Sequence, residues 1–150
     1  MKSTLLLGLL AVVSGALIPV QAASNAALSR TIQNNVPFSA MVLFLAAFIA
    51  ATVVMVASGQ TLPSFAELRE APWWSYSGGP IVAFYVLTIT FLAPRLGVGT
   101  AISLIVAGQV IAALSIDHFG LLRSLTFQLT PTRIIGAILM IVGVYFALKR

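Results

Sequence analysis

Five runs of apolar residues, each close to the length that crosses a lipid bilayer, divide most of this chain among themselves. A membrane-spanning helix needs about 20 such residues, at about 1.5 Å of rise each. The runs predict helices over residues 5–28, 37–58, 74–94, 98–117 and 132–148. Only 7% of the residues are charged and 60% are hydrophobic, whereas a soluble domain carries about 25% charge. The expected fold is an all-α integral membrane protein with five transmembrane helices, forming one domain over residues 1–150.

The net charge of +5 is not a nucleic-acid signal, because the basic residues stand singly at helix ends with no basic patch. The expected partners are membrane lipid, a small organic solute and a second copy of the chain, with no nucleic acid. On the five-span reading, Lys2, Arg69, Arg123 and Arg133 flank one side of the membrane, and Arg30, Arg95, Lys149 and Arg150 flank the other. An excess of Lys and Arg in cytoplasmic loops normally fixes orientation. With four on each side, no such excess exists, so the chain is expected to insert both ways up and to assemble as an antiparallel, dual-topology homodimer.

The chain has no cysteine and one histidine, which leaves out thiolate metal sites, histidine-rich metal sites and thiol catalysis. No metal and no cofactor is expected. Catalysis needs a nucleophile and a base within reach of each other. The only close acid and imidazole, Asp117 and His118, point to different sides of a helix, so an enzyme is not expected.

Breaker residues mark the boundaries. Asn34-Asn35-Val36-Pro37 opens the second span, with Pro37 where a first-turn proline costs nothing. The connector GQTLPSFAELREAPWW is the one polar stretch of any length. It reads either as solvated chain or, through Leu62, Phe65 and Leu68, as a short interfacial helix. Trp73, Trp74 and Tyr76 then sit at headgroup level. Pro94-Arg95-Leu96-Gly97 is short enough to force a hairpin, which makes Pro94 and Gly97 hairpin or hinge positions. Residues 1–22 resemble a signal peptide with a small residue, Ala22, at the cleavage site; the polar face formed by Gln21 and Asn25 argues against a disposable leader. Small residues let helices approach in lipid: Ala11 with Gly15, Ala47 with Ala51, Gly108 with Ala112, and Gly136 with Gly143 and Ala147. The last set is a candidate dimer or packing face.

Polar groups inside a membrane are costly and so default to functional hypotheses. Asp117, the one carboxylate near a span, reads either as an interfacial charge paired with Arg123 or Arg133 or as a site that titrates and couples transport to protons. In an antiparallel pair only residues near the midplane meet their symmetry mates, which selects Tyr85 and Gln109. Ser14, Gln21 and Asn25 fall along one face of the first span. Pro19, between them, frees the carbonyl of Gly15, which must find another donor or line a wet cavity. Gln21, Asn25, Tyr85 and Gln109 are therefore the expected substrate-binding residues; an amide or phenol there suits a neutral or cationic solute.

The runs GALIPVQAASNAALSR, PWWSYSGG, APRLGVGTAISLIVAGQVIAALSIDHFGLL and RIIGAILMIVGVYF resemble the YdcZ-like proteins of the drug/metabolite transporter superfamily, related to the small multidrug resistance transporters. The AGQ…IDHFGL run is the most specific part. The resemblance implies single units of about five helices, occurring as lone dual-topology proteins, oppositely oriented pairs or fused repeats; this chain resembles the lone form. It departs from the small multidrug resistance pattern in having no central glutamate in helix one, the group that in that family binds both proton and cationic drug. The expected function is transport of a small organic solute across a bacterial inner membrane by alternating access. A small dual-topology ion channel and a non-transporting membrane subunit are the alternatives.

Overall fold

The structure, a computed structural model, describes residues 2–149. The side chains of Lys2, Ala147 and Arg150, to which flanking charges and one small-residue contact were assigned above, lie outside the described residues. The elements run α1 (Lys2–Thr31), α2 (Val36–Ala57), α3 (Phe65–Glu70), a 3₁₀ turn (Trp73–Ser77), α4 (Gly78–Leu96), α5 (Val98–Phe119), a second short turn (Leu121–Arg123) and α6 (Pro131–Leu148). No strand occurs among the described residues. Among the described residues, four stretches are long and apolar enough to cross a membrane: Thr4–Thr31, Val36–Ala57, Trp73–Leu96 and Val98–Phe119. The apolar stretch Pro131–Phe146 in α6 is shorter, reaching about 24 Å where a hydrocarbon core is about 30 Å thick.

The chain forms two compact units, residues 1–94 and 95–150. In the first, α1 runs through Pro19 without ending and turns into α2 through Gln33 and Asn34, both in left-handed backbone. Asn35 caps α2 by accepting from the Phe38 N–H, and Pro37 stands in the first turn. The buried side chains gather where the end of α1, the start of α2 and the end of α4 meet: Ala22, Asn25, Ala26 and Ser29; Ser39 and Ala40; Val86, Ile89, Thr90 and Ala93. From Thr4 to Ile18 α1 is exposed throughout, with Leu5, Leu6, Leu9, Val12 and Leu17 all bare. Apolar surface in a membrane helix needs no protein cover, because lipid is as apolar as leucine.

The connector between α2 and α4 is ordered around α3. Ser64 and Glu67 form a reciprocal capping box, and the Tyr76 hydroxyl donates to the Leu68 carbonyl at 2.6 Å, tying α3 to the turn that opens the third apolar segment. Phe65 and Leu68 share one side of α3, with Glu67 and Glu70 on the other. Phe65 and Trp73 are more than four-fifths exposed.

In the second unit α5 packs against α6. Gly97, before α5, has φ 86° and ψ 146°, a conformation essentially reserved for glycine. Gly120 ends α5 in left-handed backbone, its N–H bonded to the Ile116 carbonyl. A Cβ there would meet Thr126 Oγ1 at 2.7 Å, so the position excludes larger residues for space as well as for φ.

Candidate functional site

Three side chains from three helices meet in the first unit. Asn25 Nδ2 donates to Thr90 Oγ1 at 2.6 Å. Ser39 Oγ lies 2.7 Å from Asn25 Oδ1 and 2.8 Å from the Asn25 carbonyl, sharing its proton between them. All three residues are at most 5% exposed. In hydrocarbon, polar groups find partners inside the protein, and Asn25, with both a donor and an acceptor, can bridge two helices at once. Ala22 and Ala26, fully packed beside it, let the neighbouring backbones come close enough for bonds this short.

One turn before Asn25 lies Gln21. Asn25 has two partners; Gln21 Nε2 is buried with no acceptor within hydrogen-bond reach among the described residues. Its residue forms part of the wall of a groove of about 220 Å³ between α1 and α2, with Ser24, Asn25, Leu28, Val42, Leu43 and Ala46. Ten residues separate Gln21 from Thr31, the end of α1. That is about 15 Å along the axis, half the thickness of a hydrocarbon core.

The other expected site residues lie elsewhere. Tyr85 is half-buried on α4, about 140° around the helix from Thr90, and does not line the groove. Gln109 is exposed on α5, in the second unit. Tyr85 and Gln109 both stand at the middle of their helices. Pro94 lies inside the last turns of α4, and the first unit ends at it. Lacking an N–H, it cannot donate to the carbonyl four residues earlier, that of Thr90. Gly136 and Gly143 face open space within their own unit, with nothing within 4 Å of a Cβ built on either.

Asp117 is paired with Arg133. Arg133 Nη2 lies 2.9 Å from Asp117 Oδ2, with the two side chains 36% and 32% exposed. Arg133 Nη1 donates to the Phe127 carbonyl at 3.3 Å, and its guanidinium lies 5.8 Å from the centre of the Phe127 ring. The Phe127 N–H returns to the Asp117 carbonyl at 2.9 Å, and the Leu129 N–H donates to His118 Nδ1 at 3.4 Å. Asp117 and His118 thus close the loop between α5 and α6 onto the end of α5. Of the two arginines open to Asp117 from sequence, Arg133 makes the pair. Ser39 and Thr90 were not singled out from sequence; their signal was a hydroxyl residue in each of two apolar runs, which recurs too often in this chain to select them.

A family described as "Putative inner membrane exporter, YdcZ" matches residues 6–146. No curated protein and no solved structure matches the chain.

Proposed function

The chain belongs to the YdcZ family, described as inner membrane exporters, and from that premise we propose that it moves a small organic solute across the membrane by alternating access at a midplane site of an antiparallel homodimer. It is a multi-pass inner membrane protein with at least four helices able to span. The fifth apolar helix, α6, completes a five-helix domain by crossing locally thinned bilayer, an accommodation that costs only fractions of a kcal/mol per Å.

The observation that carries this reading is Gln21 Nε2, a buried donor without an acceptor at mid-membrane depth. Such a group costs about 1–3 kcal/mol unless something outside the chain satisfies it. Gln21, Tyr85 and Gln109 each stand about 15 Å from a helix end, the depth at which two antiparallel copies share one site. Asn25 holds the wall of that site through Ser39 and Thr90. The unpartnered face at Gly136 and Gly143 supports contact with a second copy, since small residues in a membrane helix serve close approach. Pro94 and Gly97 supply the flexible joint that alternating access needs.

Purified protein in sealed vesicles loaded with a small-molecule cell extract tests the reading, with solute loss followed by mass spectrometry. Selective depletion of one or a few solutes at transporter rates, abolished in Gln21→Leu, is expected. Unselective flux with single-channel currents would make it a channel. No depletion at all would leave a non-transporting subunit.

A further inference from the structure

Resting on that reading, we infer that the groove between α1 and α2 binds a small uncharged solute through a hydrogen-bond acceptor oxygen, with Gln21 as the donor. The one buried polar atom of the groove without a partner among the described residues sets the class. Asn25 has both its amide oxygen and its amide nitrogen engaged, by Ser39 and Thr90. Gln21 Nε2 has no acceptor, and the last torsion of a glutamine side chain is soft, so a small turn brings an N–H to the groove. The need at this point is for an acceptor, such as a carbonyl, ether or hydroxyl oxygen.

Charge narrows the class further. None of the seven residues that line the groove is ionisable. A cation or anion there would be buried in a low-dielectric setting without a counter-charge, which is far costlier than burying a neutral polar group. The opposite wall on α2, Val42, Leu43 and Ala46, together with Leu28 on α1, suits an apolar body beside the oxygen. The solute therefore carries no net charge.

Three probes of one shape separate the classes: pentanamide, pentanoate and pentylammonium. The chain has five glutamines, Gln21, Gln33, Gln60, Gln109 and Gln128, so selective ¹⁵N labelling gives five side-chain amide signals, and Gln21→Leu assigns the one of interest. In lipid nanodiscs, pentanamide should shift the Gln21 signal at concentrations about tenfold below those at which either ion does. The Gln21→Glu variant should reverse this order, taking pentylammonium in preference to pentanamide, as read from the ¹⁵N-labelled side-chain amide of Asn25 in the same groove. Unchanged signals from Gln33, Gln60 and Gln128, which lie outside the proposed site, report that each variant is folded.

A response to pentylammonium equal to that to pentanamide, or no response of Gln21 to any probe, overturns the inference. A Gln21 signal that moves with lipid composition or with protein dilution in the absence of probe also overturns it, by assigning the missing acceptor to lipid or to a second copy. Vesicle transport separates the two readings: a Gln21 shift without solute movement refutes transport, and solute movement without a Gln21 shift refutes this site alone.

Discussion

Asn25 and Thr90 are 65 positions apart and 2.6 Å from each other, and each stands six residues before the last residue of its own helix, Thr31 and Leu96. Equal distance from the helix ends means equal depth, about 9 Å along each axis. Two helices that end on the same side of a membrane must match depth at every contact between them. A hydrogen bond at this depth, shielded from water, fixes that match.

Removing either partner should loosen the first unit. Asn25→Ala leaves Thr90 and Ser39 without their partner, and a loss of about 1–2 kcal/mol is expected in unfolding of the detergent-solubilised protein. Thr90→Val should cost less, because Ser39 still bonds Asn25. The double variant should cost less than the two single changes added together, since both act on one bond. Additive losses would show that the bond does not contribute.

Gln109→Leu should abolish transport while leaving membrane insertion and folding intact, because the leucine is apolar and of similar size. Solute movement in vesicles, measured beside the yield of correctly inserted protein, checks this. Normal transport by the variant removes Gln109 from the site.

Asp117→Asn should leave the pH profile of transport unchanged. Its carboxylate is engaged by Arg133 at 2.9 Å, at the end of α5 and away from the middle of any span, which marks it as a loop fastener. The pair is about one-third exposed, and a stability loss of no more than about 1 kcal/mol is expected. A variant that transports but no longer responds to a proton gradient would restore Asp117 as the coupling group.

The connector helix α3 should depend on pH in one direction. The Ser64 backbone N–H and then the Ser64 hydroxyl, both bonded to the Glu67 carboxylate, hold its pKa below the ordinary carboxylate value. A lowered pKa means that the cap is fully present above the ordinary carboxylate range and is lost as pH falls through the lowered value. The Ser64 amide resonance should therefore follow a single acid transition in that range. Glu67→Gln should remove the transition, and a transition that survives would belong to another group.

The parts of the fold carried by composition and breakers were legible in the sequence. Apolar runs of about 20 residues can do little else in a bilayer, and four helices able to span follow from them. The third apolar segment differs in detail, opening as a 3₁₀ turn at Trp73–Ser77 before α4 begins at Gly78, which itself has ordinary right-handed helical backbone. The polar face of Gln21 and Asn25 was legible from their spacing of four residues. What each amide bonds was not, because Ser39 and Thr90 lie 14 and 65 positions from Asn25, and their approach depends on how α1, α2 and α4 register against one another. Asp117 had two possible arginine partners for the same reason. The fold of the loop between α5 and α6, with Leu122 and Arg123 both in left-handed backbone, has no local sequence signal that separates Arg123 from Arg133.

The antiparallel pair is tested most directly by labelling. The chain has no cysteine, so one can be placed beside Lys2 or, in a separate variant, after Arg150, and its reaction with a membrane-impermeant maleimide measured in intact cells. With the flanking charges evenly split between the two sides, each terminus should be labelled in about half of the molecules. Complete labelling of one terminus with none of the other would contradict the antiparallel homodimer and the shared midplane site built on it.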